Sequence, residues 1–373
     1  MIYVPLSNAQ PGMRLAKSIP SSTGYFSLLK CGEVLTDPLI ARLREHGIDG
    51  VYVEFAGSED IEPFYVLEPK VRMEITNEFR ELYRDYLTRP CVSYKAVEAT
   101  RRIAESIVEQ VLGRDDYLVD IMEIKSYDSY TYAHSLNVGI LSILLASEMG
   151  ITRNRLVDVG LCALMHDIGK VDIPIRIINK PGPVTDSEFD IIKTHPEKGV
   201  ERLRKCYNIS HEVLQGVQSH HEKYDGSGYP FGYQGTEIPV FGRVLSVADV
   251  YDALTSQRSY RTAWLPNQAI EYIVAKADTQ FDRDFVEQFL HIVCAYPTGS
   301  VVQLSDGSRA IVVRNFAENV LRPKVRLLES GALGRKGEEI NLLEDYDALH
   351  LTIKAVLGDP GFELNRGSGK MAQ

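Results

Sequence analysis

The sequence lacks the features that mark several protein classes. No apolar run reaches the roughly 20 residues that a bilayer-spanning helix needs. The longest, VGILSILLA from Val138, is closed by Ser147 and Glu148 and reads as a buried helix. The N-terminal MIYVPLSNAQ has no charged region followed by an apolar stretch, so no secretory leader is expected. Cysteine occurs five times, at Cys31, Cys91, Cys162, Cys206 and Cys294, without a CxxC pair. An odd, scattered set argues against a disulfide framework or a zinc knuckle and points to reduced thiols in a cytoplasm. Basic residues are outnumbered, 41 Lys and Arg against 51 Asp and Glu, for a net charge of −10. That balance argues against general DNA or RNA binding, which needs a basic surplus. A small anion in a locally positive pocket is compatible with it.

The 373 residues suffice for two or three domains. Residues 1–62 mix short β-type runs (Met13 to Ile19, Gly50 to Phe55) with one helix, DPLIARLREHG, for which Asp37 is the expected N-cap and Pro38 the first helical residue. This reads as a small α+β module. Residues 63–92 hold a charged helical stretch from about Pro69 to Leu87, expected to be a connector or a dimer contact. Residues 93–295 are almost all helical in pattern. Leu141, Leu144 and Leu145 share a face with Val138, and Thr185 and Glu188 have the spacing of a capping box, with Pro196 breaking the following helix just after His195. Residues 296–357 change character. SVVQLSDGSRAIVVRN reads as a hairpin around Asp306-Gly307, and KVRLLES and LHLTIKAVL as third and fourth strands. Residues 358–373 read as a mobile tail. The expected fold is multidomain, with a central all-α bundle, a small α+β N-terminal module and a small β-rich C-terminal module.

Histidine is also scarce, nine in all, yet most of it lies beside acids in the helical region. His134 stands in YTYAHS, His166 and Asp167 in LMHDIGK, His195 in THPEKG, and His220 and His221 open HHEKYDGSGYP. Asp249 and Asp252 follow in LSVADVYDALTSQRSYR. A helical bundle gathers such residues by turning one face of each helix inward. Neighbouring helical residues differ in direction by roughly 100°, so an adjacent His-Asp pair can serve two metal ions, with the carboxylate between them. Imidazole and carboxylate together suit Fe, Mn, Zn or Ni. Two ions roughly 3.5–4 Å apart are the usual device for in-line displacement at phosphorus. His46, His211 and His350 read as ordinary core or surface histidines.

With these motifs in view, residues 93–295 resemble the HD-GYP family of HD-domain metal phosphohydrolases: HDIGK supplies the HD pair, HPEKG and ADVYDALTSQRSYR follow in order, and HHEKYDGSGYP carries the name-giving motif. The resemblance implies a bacterial phosphodiesterase that hydrolyses cyclic di-GMP to pGpG, and on to GMP, through a hydroxide bridging the metals. It carries the ligand roles onto His166, Asp167, His195, His220, His221 and Asp249, with Asp167 as the bridge. His134 matches a further ligand. Members with a third metal have a Glu four residues earlier, where this chain has Tyr130, so two Fe or Mn ions are expected.

Chemistry suggests roles for other motif residues. Lys170, one turn after His166, is placed to hold a phosphate oxygen or protonate the leaving ribose oxygen. Arg258 and Arg261 have i,i+3 spacing suited to the phosphates or guanine. Tyr229 is placed to stack on a base or touch a phosphate. Gly228 and its neighbouring glycines are expected to let the loop approach a bulky ligand, and Pro230 to stiffen its exit. In the family this loop is linked to GGDEF-domain cyclases. The competing readings are a hydrolase of another cyclic dinucleotide, and a catalytically weak cyclic di-GMP sensor or scaffold.

Overall fold

A computed structural model describes residues 1–20, 27–46, 48, 50–62, 65–89, 91–113, 118, 130–180, 182–206, 208–256, 263–331 and 334–357. The chain divides into two compact units, one made of residues 1–63 with 296–373 and the other of residues 64–295. The fold thus comprises an all-helical core unit and a unit with an antiparallel C-terminal sheet and a small N-terminal part.

In the first unit, β1 (Ile2–Pro5) pairs antiparallel with β4 (Gly50–Val53), and β2 (Ile19–Pro20) with β3 (Ser27–Leu29). Helix α1 (Asp37–Glu45) has Thr36 at its N-cap position, one residue earlier than expected and without a side-chain capping bond, which puts Asp37 in the first turn, where its charge suits the helix dipole. The remaining strands, β5 (Val301–Leu304), β6 (Arg309–Arg314), β7 (Lys324–Leu327), β8 (Glu339–Asn341) and β9 (Ile353–Leu357), form one sheet in the order β8-β7-β6-β5-β9. The β5–β6 hairpin turns at Gly307, whose φ of 94° favours glycine. The N-terminal and C-terminal segments read as separate modules, but they are parts of one unit. The Tyr3 amide donates to the Gly299 carbonyl at 3.0 Å, and Arg326 reaches both Asp60 carboxylate oxygens, at 2.7 and 2.6 Å.

The helical unit contains α2 (Pro69–Thr88), α3 (Tyr94–Leu112), α4 (Tyr130–Glu148), α5 (Arg153–Met165), α6 (Ile175–Ile178), α7 (Asp186–Ile192), α8 (His195–Leu203), α9 (His211–Ser219), α10 (Val240–Thr255), α11 (Pro266–Ala275) and α12 (Arg283–Ile292). Helix α4 is its axis. Every residue from 132 to 146 is buried, so the single apolar face read from Val138 and the leucines becomes a helix covered on all sides. The charged stretch expected to connect domains is α2, and it belongs to this unit: Phe79 and Tyr86 are fully buried, and Arg80 Nε donates to the Tyr132 hydroxyl at 3.1 Å. Its apolar stripe packs within the unit, with Ile75 and Tyr83 buried as well. Arg202 of α8 adds a further tie. Its guanidinium clasps the Asp172 carboxylate at 2.5 and 2.7 Å and donates to the Arg89 carbonyl at 2.8 Å.

The capping box at Thr185 and Glu188 forms with both of its hydrogen bonds. The helix break falls at Thr194, before His195 and not after it, because Pro196 is accommodated in the first turn of α8, where no amide hydrogen is required. The predicted tail, 358–373, lies outside the described residues. Among the described residues no helix is long and apolar enough to cross a membrane.

Candidate metal centre

Helix ends build the site. The last carbonyls of a helix have no intrahelical amide to accept from. Three of the predicted histidines exploit this. His166 follows α5, His195 follows the end of α7 and opens α8, and His220 follows α9. In each, Nδ1 lies on the carbonyl three residues earlier: Ala163 at 2.6 Å, Ile192 at 2.7 Å and Val217 at 2.7 Å. A carbonyl only accepts, so Nδ1 carries the proton and Nε2 is left with its lone pair. Backbone geometry thus fixes both the tautomer and the aim of three imidazoles.

Those lone pairs converge on Asp167, which is 3% exposed. Its Oδ1 is 3.3 Å from His195 Nε2 and 3.9 Å from His220 Nε2, while its Oδ2 is 3.3 Å from His166 Nε2 and 3.8 Å from His134 Nε2. One carboxylate therefore faces two histidine groups, one with each oxygen. Asp167, His195, His220 and His221 form one set of potential ligands within 4.8 Å of one another, and His134, His166 and Asp167 form a second. Asp249 reaches toward both, with Oδ1 3.1 Å from His134 Nε2 and Oδ2 4.0 Å from His221 Nδ1.

His134 is held differently. Its Nδ1 is 2.7 Å from Oδ2 of Asp252, which is fully buried, and Asn137 donates to Oδ1 of the same carboxylate at 2.9 Å. The Asp252 role was not assigned from sequence, although its i,i+3 spacing from Asp249 on α10 placed both on one face.

The donor set fits a divalent cation. His166 Nε2 and Asp167 Oδ1 are buried and have no hydrogen-bond partner among the described residues. His195 Nε2 and His220 Nε2 lie 3.3 Å apart, lone pair toward lone pair. Buried acceptors facing one another without a donor are costly unless a cation lies between them. Protonation tendencies agree. Burial, reinforced by its histidine neighbours, holds His220 well below the usual imidazole range, and burial lowers His221 to about 3. Burial opposes ionisation of Asp167, but His166 and Lys170 outweigh it and keep the carboxyl well below the usual range. His134 is the exception: burial pushes it down, yet Asp249 and Asp252 raise it to about 9. A proton and a metal ion compete for that imidazole.

The remaining predicted residues are placed as follows. Lys170, on a short 3-10 helix (Ile168–Asp172), bonds Asp167 Oδ2 and is partly exposed. The Tyr229 ring lies 4.9 Å from that of His221, and burial raises its hydroxyl above the usual phenol range. Tyr229-Pro230 is a cis peptide. The expected reason for Gly228 does not hold. A Cβ there would meet Lys223 N at 2.3 Å and Glu222 Cα at 2.5 Å, so glycine is needed for the loop to close on its own backbone rather than to admit a ligand. The buried Glu222 then accepts from the amides of Phe231, Gly232 and Tyr233 at 2.7, 3.1 and 3.2 Å. Sequence reading passed over Glu222 because an acid inside a polar motif reads as solvated. Arg258 and Arg261 lie outside the described residues, as does the side chain of Tyr130.

Residues 119–285 match the HD domain family model. The chain is 36% identical over 228 residues to cyclic di-GMP phosphodiesterase PA4108 of Pseudomonas aeruginosa, covering 61% of this chain and 55% of that protein. It is 32% identical over 252 residues to a cyclic di-GMP phosphodiesterase of Thermotoga maritima, covering 64% and 66% respectively. It is 32% identical over 226 residues to 3'3'-cGAMP-specific phosphodiesterase 2 of Vibrio cholerae, covering 60% and 42%. The chain thus spans between 42% and 66% of the length of these relatives. The chain thus carries an HD domain, in which HDIGK and HHEKYDGSGYP fold around one buried His/Asp cluster.

Proposed function

We propose that this chain is a cytoplasmic, metal-dependent phosphodiesterase that hydrolyses cyclic di-GMP to linear pGpG, with GMP arising from a second cut. The observation that carries the reading is the Asp167 carboxylate, with one oxygen toward each of two histidine groups. We assign two divalent ions, iron or manganese, to the ligands His166, Asp167, His195, His220, His221 and Asp249, with His134 completing the set. Such ions supply Lewis acidity, making water nucleophilic at neutral pH and neutralising phosphoryl charge.

The chain's own residues do the rest. Water adds across the P–O3' bond: its oxygen joins phosphorus, and the 3' oxygen leaves and takes a proton. Lys170 Nζ, partly exposed beside Asp167, is the group we assign to hold that phosphate and supply that proton. Tyr229 borders His221, with ring centroids 4.9 Å apart, and lines that side of the site. Asp252 orients His134, so Asp252→Asn is expected to weaken metal affinity and turnover roughly 10–100-fold, the usual cost of losing an outer partner of a ligand. Metal titration of the variant by calorimetry, with its melting temperature as a folding control, checks this. The Phe231 and Tyr233 rings, tilted at 31° with centroids 5.0 Å apart and partly exposed beyond Pro230, are the surface we assign to GGDEF-domain partners.

The relative specific for 3'3'-cGAMP motivates a direct comparison of substrates. Cyclic di-GMP, 3'3'-cGAMP and cyclic di-AMP are each incubated with the metal-loaded protein and the products separated. The proposal predicts the highest kcat/KM for cyclic di-GMP. A preference for either adenine-containing substrate would reassign the specificity, and binding of cyclic di-GMP without turnover would make the chain a sensor.

A further inference from the structure

Helix α7 (Asp186–Ile192) buries none of its residues, yet carries two large apolar side chains, Phe189 at 42% and Ile191 at 38% exposure. A helix this short is not stable by itself and normally depends on packing of an apolar face. This one is held instead by its polar start. Thr185 and Glu188 form the capping box, and Lys180 Nζ is 2.5 Å from Glu188 Oε2. Its apolar residues are therefore not needed in the core.

Phe189 is also specifically placed. Its ring meets that of Tyr229 edge-on, with centroids 6.3 Å apart and planes at 83°. Tyr229 in turn lies 4.9 Å from the His221 ring at the metal centre. Aromatic rings thus lead outward from the catalytic cluster to the surface. Lys193 Nζ stands 4.8 Å from the Phe189 ring centroid and 2.9 Å from Asp190, which steadies the ring and keeps positive charge near it.

We propose that Phe189 is a purine-stacking platform, a specificity-determining residue that holds one base of the dinucleotide while a phosphate occupies the metal centre. This rests on the phosphodiesterase reading above. An exposed aromatic face beside a phosphate-binding cluster offers a nucleobase what a single phosphate contact does not, and stacking on such a ring contributes roughly 1–3 kcal/mol per base. The ring contacts of Phe189 are with Tyr229 and Lys193, neither of them a candidate metal ligand, so its contribution falls on binding rather than on the chemical step.

The test is steady-state kinetics with cyclic di-GMP for wild type, Phe189→Ala, Phe189→Leu and Phe189→Trp, with metal content and melting temperature measured for each. KM is expected to rise roughly 5- to 150-fold in the Ala and Leu variants, the range that the stacking energy implies. In the Trp variant KM should stay at or below the wild-type value, and kcat should stay within about twofold throughout, with bound metal unchanged. A wild-type KM in Phe189→Ala overturns the proposal. So does a wild-type KM in Phe189→Leu, which would show that apolar bulk suffices. Failure of the parent reading looks different: wild type itself, fully metal-loaded, would leave cyclic di-GMP intact.

Discussion

Replacing Asp167 by Asn is expected to strip the protein of metal and abolish hydrolysis while leaving the fold largely in place. Asn preserves the volume, but offers one oxygen and one amide donor where the carboxylate offers two acceptors and a charge. In the native arrangement each Asp167 oxygen faces its own histidine group, so a single substitution removes a ligand from both. The loss should greatly exceed the roughly 10–100-fold expected for an outer partner such as Asp252. Metal analysis and turnover, measured on the same preparation, check this. Full metal occupancy in the variant would mean that Asp167 is not shared.

The second large effect is expected at a residue with no functional group. In the HDIGK turn, a Cβ on Gly169 would lie 2.0 Å from the His195 carbonyl oxygen and 2.5 Å from the Gly199 amide nitrogen. Neither is a flexible side-chain end, so Gly169→Ala must push the turn away from α8. Overpacking of this kind costs about 1–3 kcal/mol, which for a unit of this size corresponds to a fall in melting temperature of roughly 2–12 °C. The same displacement parts Asp167 from His195, so metal affinity should fall with stability. Calorimetric melting of the metal-free and metal-loaded variant separates the two contributions. An unchanged melting temperature with normal metal uptake would show that the turn and α8 are not locked together.

The candidate ligand set was legible in the sequence because its residues are adjacent or lie at helix ends marked by Gly and Pro. His166-Asp167 and His220-His221 announce themselves as pairs, and His195 precedes Pro196, which marks the start of α8. What holds those ligands was less legible. Three imidazoles are aimed by carbonyls three residues earlier, and a backbone acceptor leaves no trace in residue type. Asp252 and Glu222 were visible as acids but not as buried ones, since burial depends on which helix or loop packs over them.

The terminal segments followed the same rule. Local patterns gave the β5–β6 hairpin and β7, whereas β8 (Glu339–Asn341), charged and only three residues long, was missed. That residues 1–63 and 296–373 form one unit is a long-range fact, carried by contacts such as Arg326 with Asp60. The α2 stripe shows the limit of periodicity. It predicts that a helix buries a face, but not whether the partner is another chain or its own.

The most direct test of the account is to purify the protein without oxygen, quantify its metal, and follow cyclic di-GMP on that same sample. The account predicts two equivalents of iron or manganese per chain, with pGpG or GMP appearing, and loss of both when the metal is chelated. A folded, metal-supplemented protein that binds no metal would contradict it, because the convergent lone pairs of His166, His195, His220 and Asp167 would then have no cation to serve.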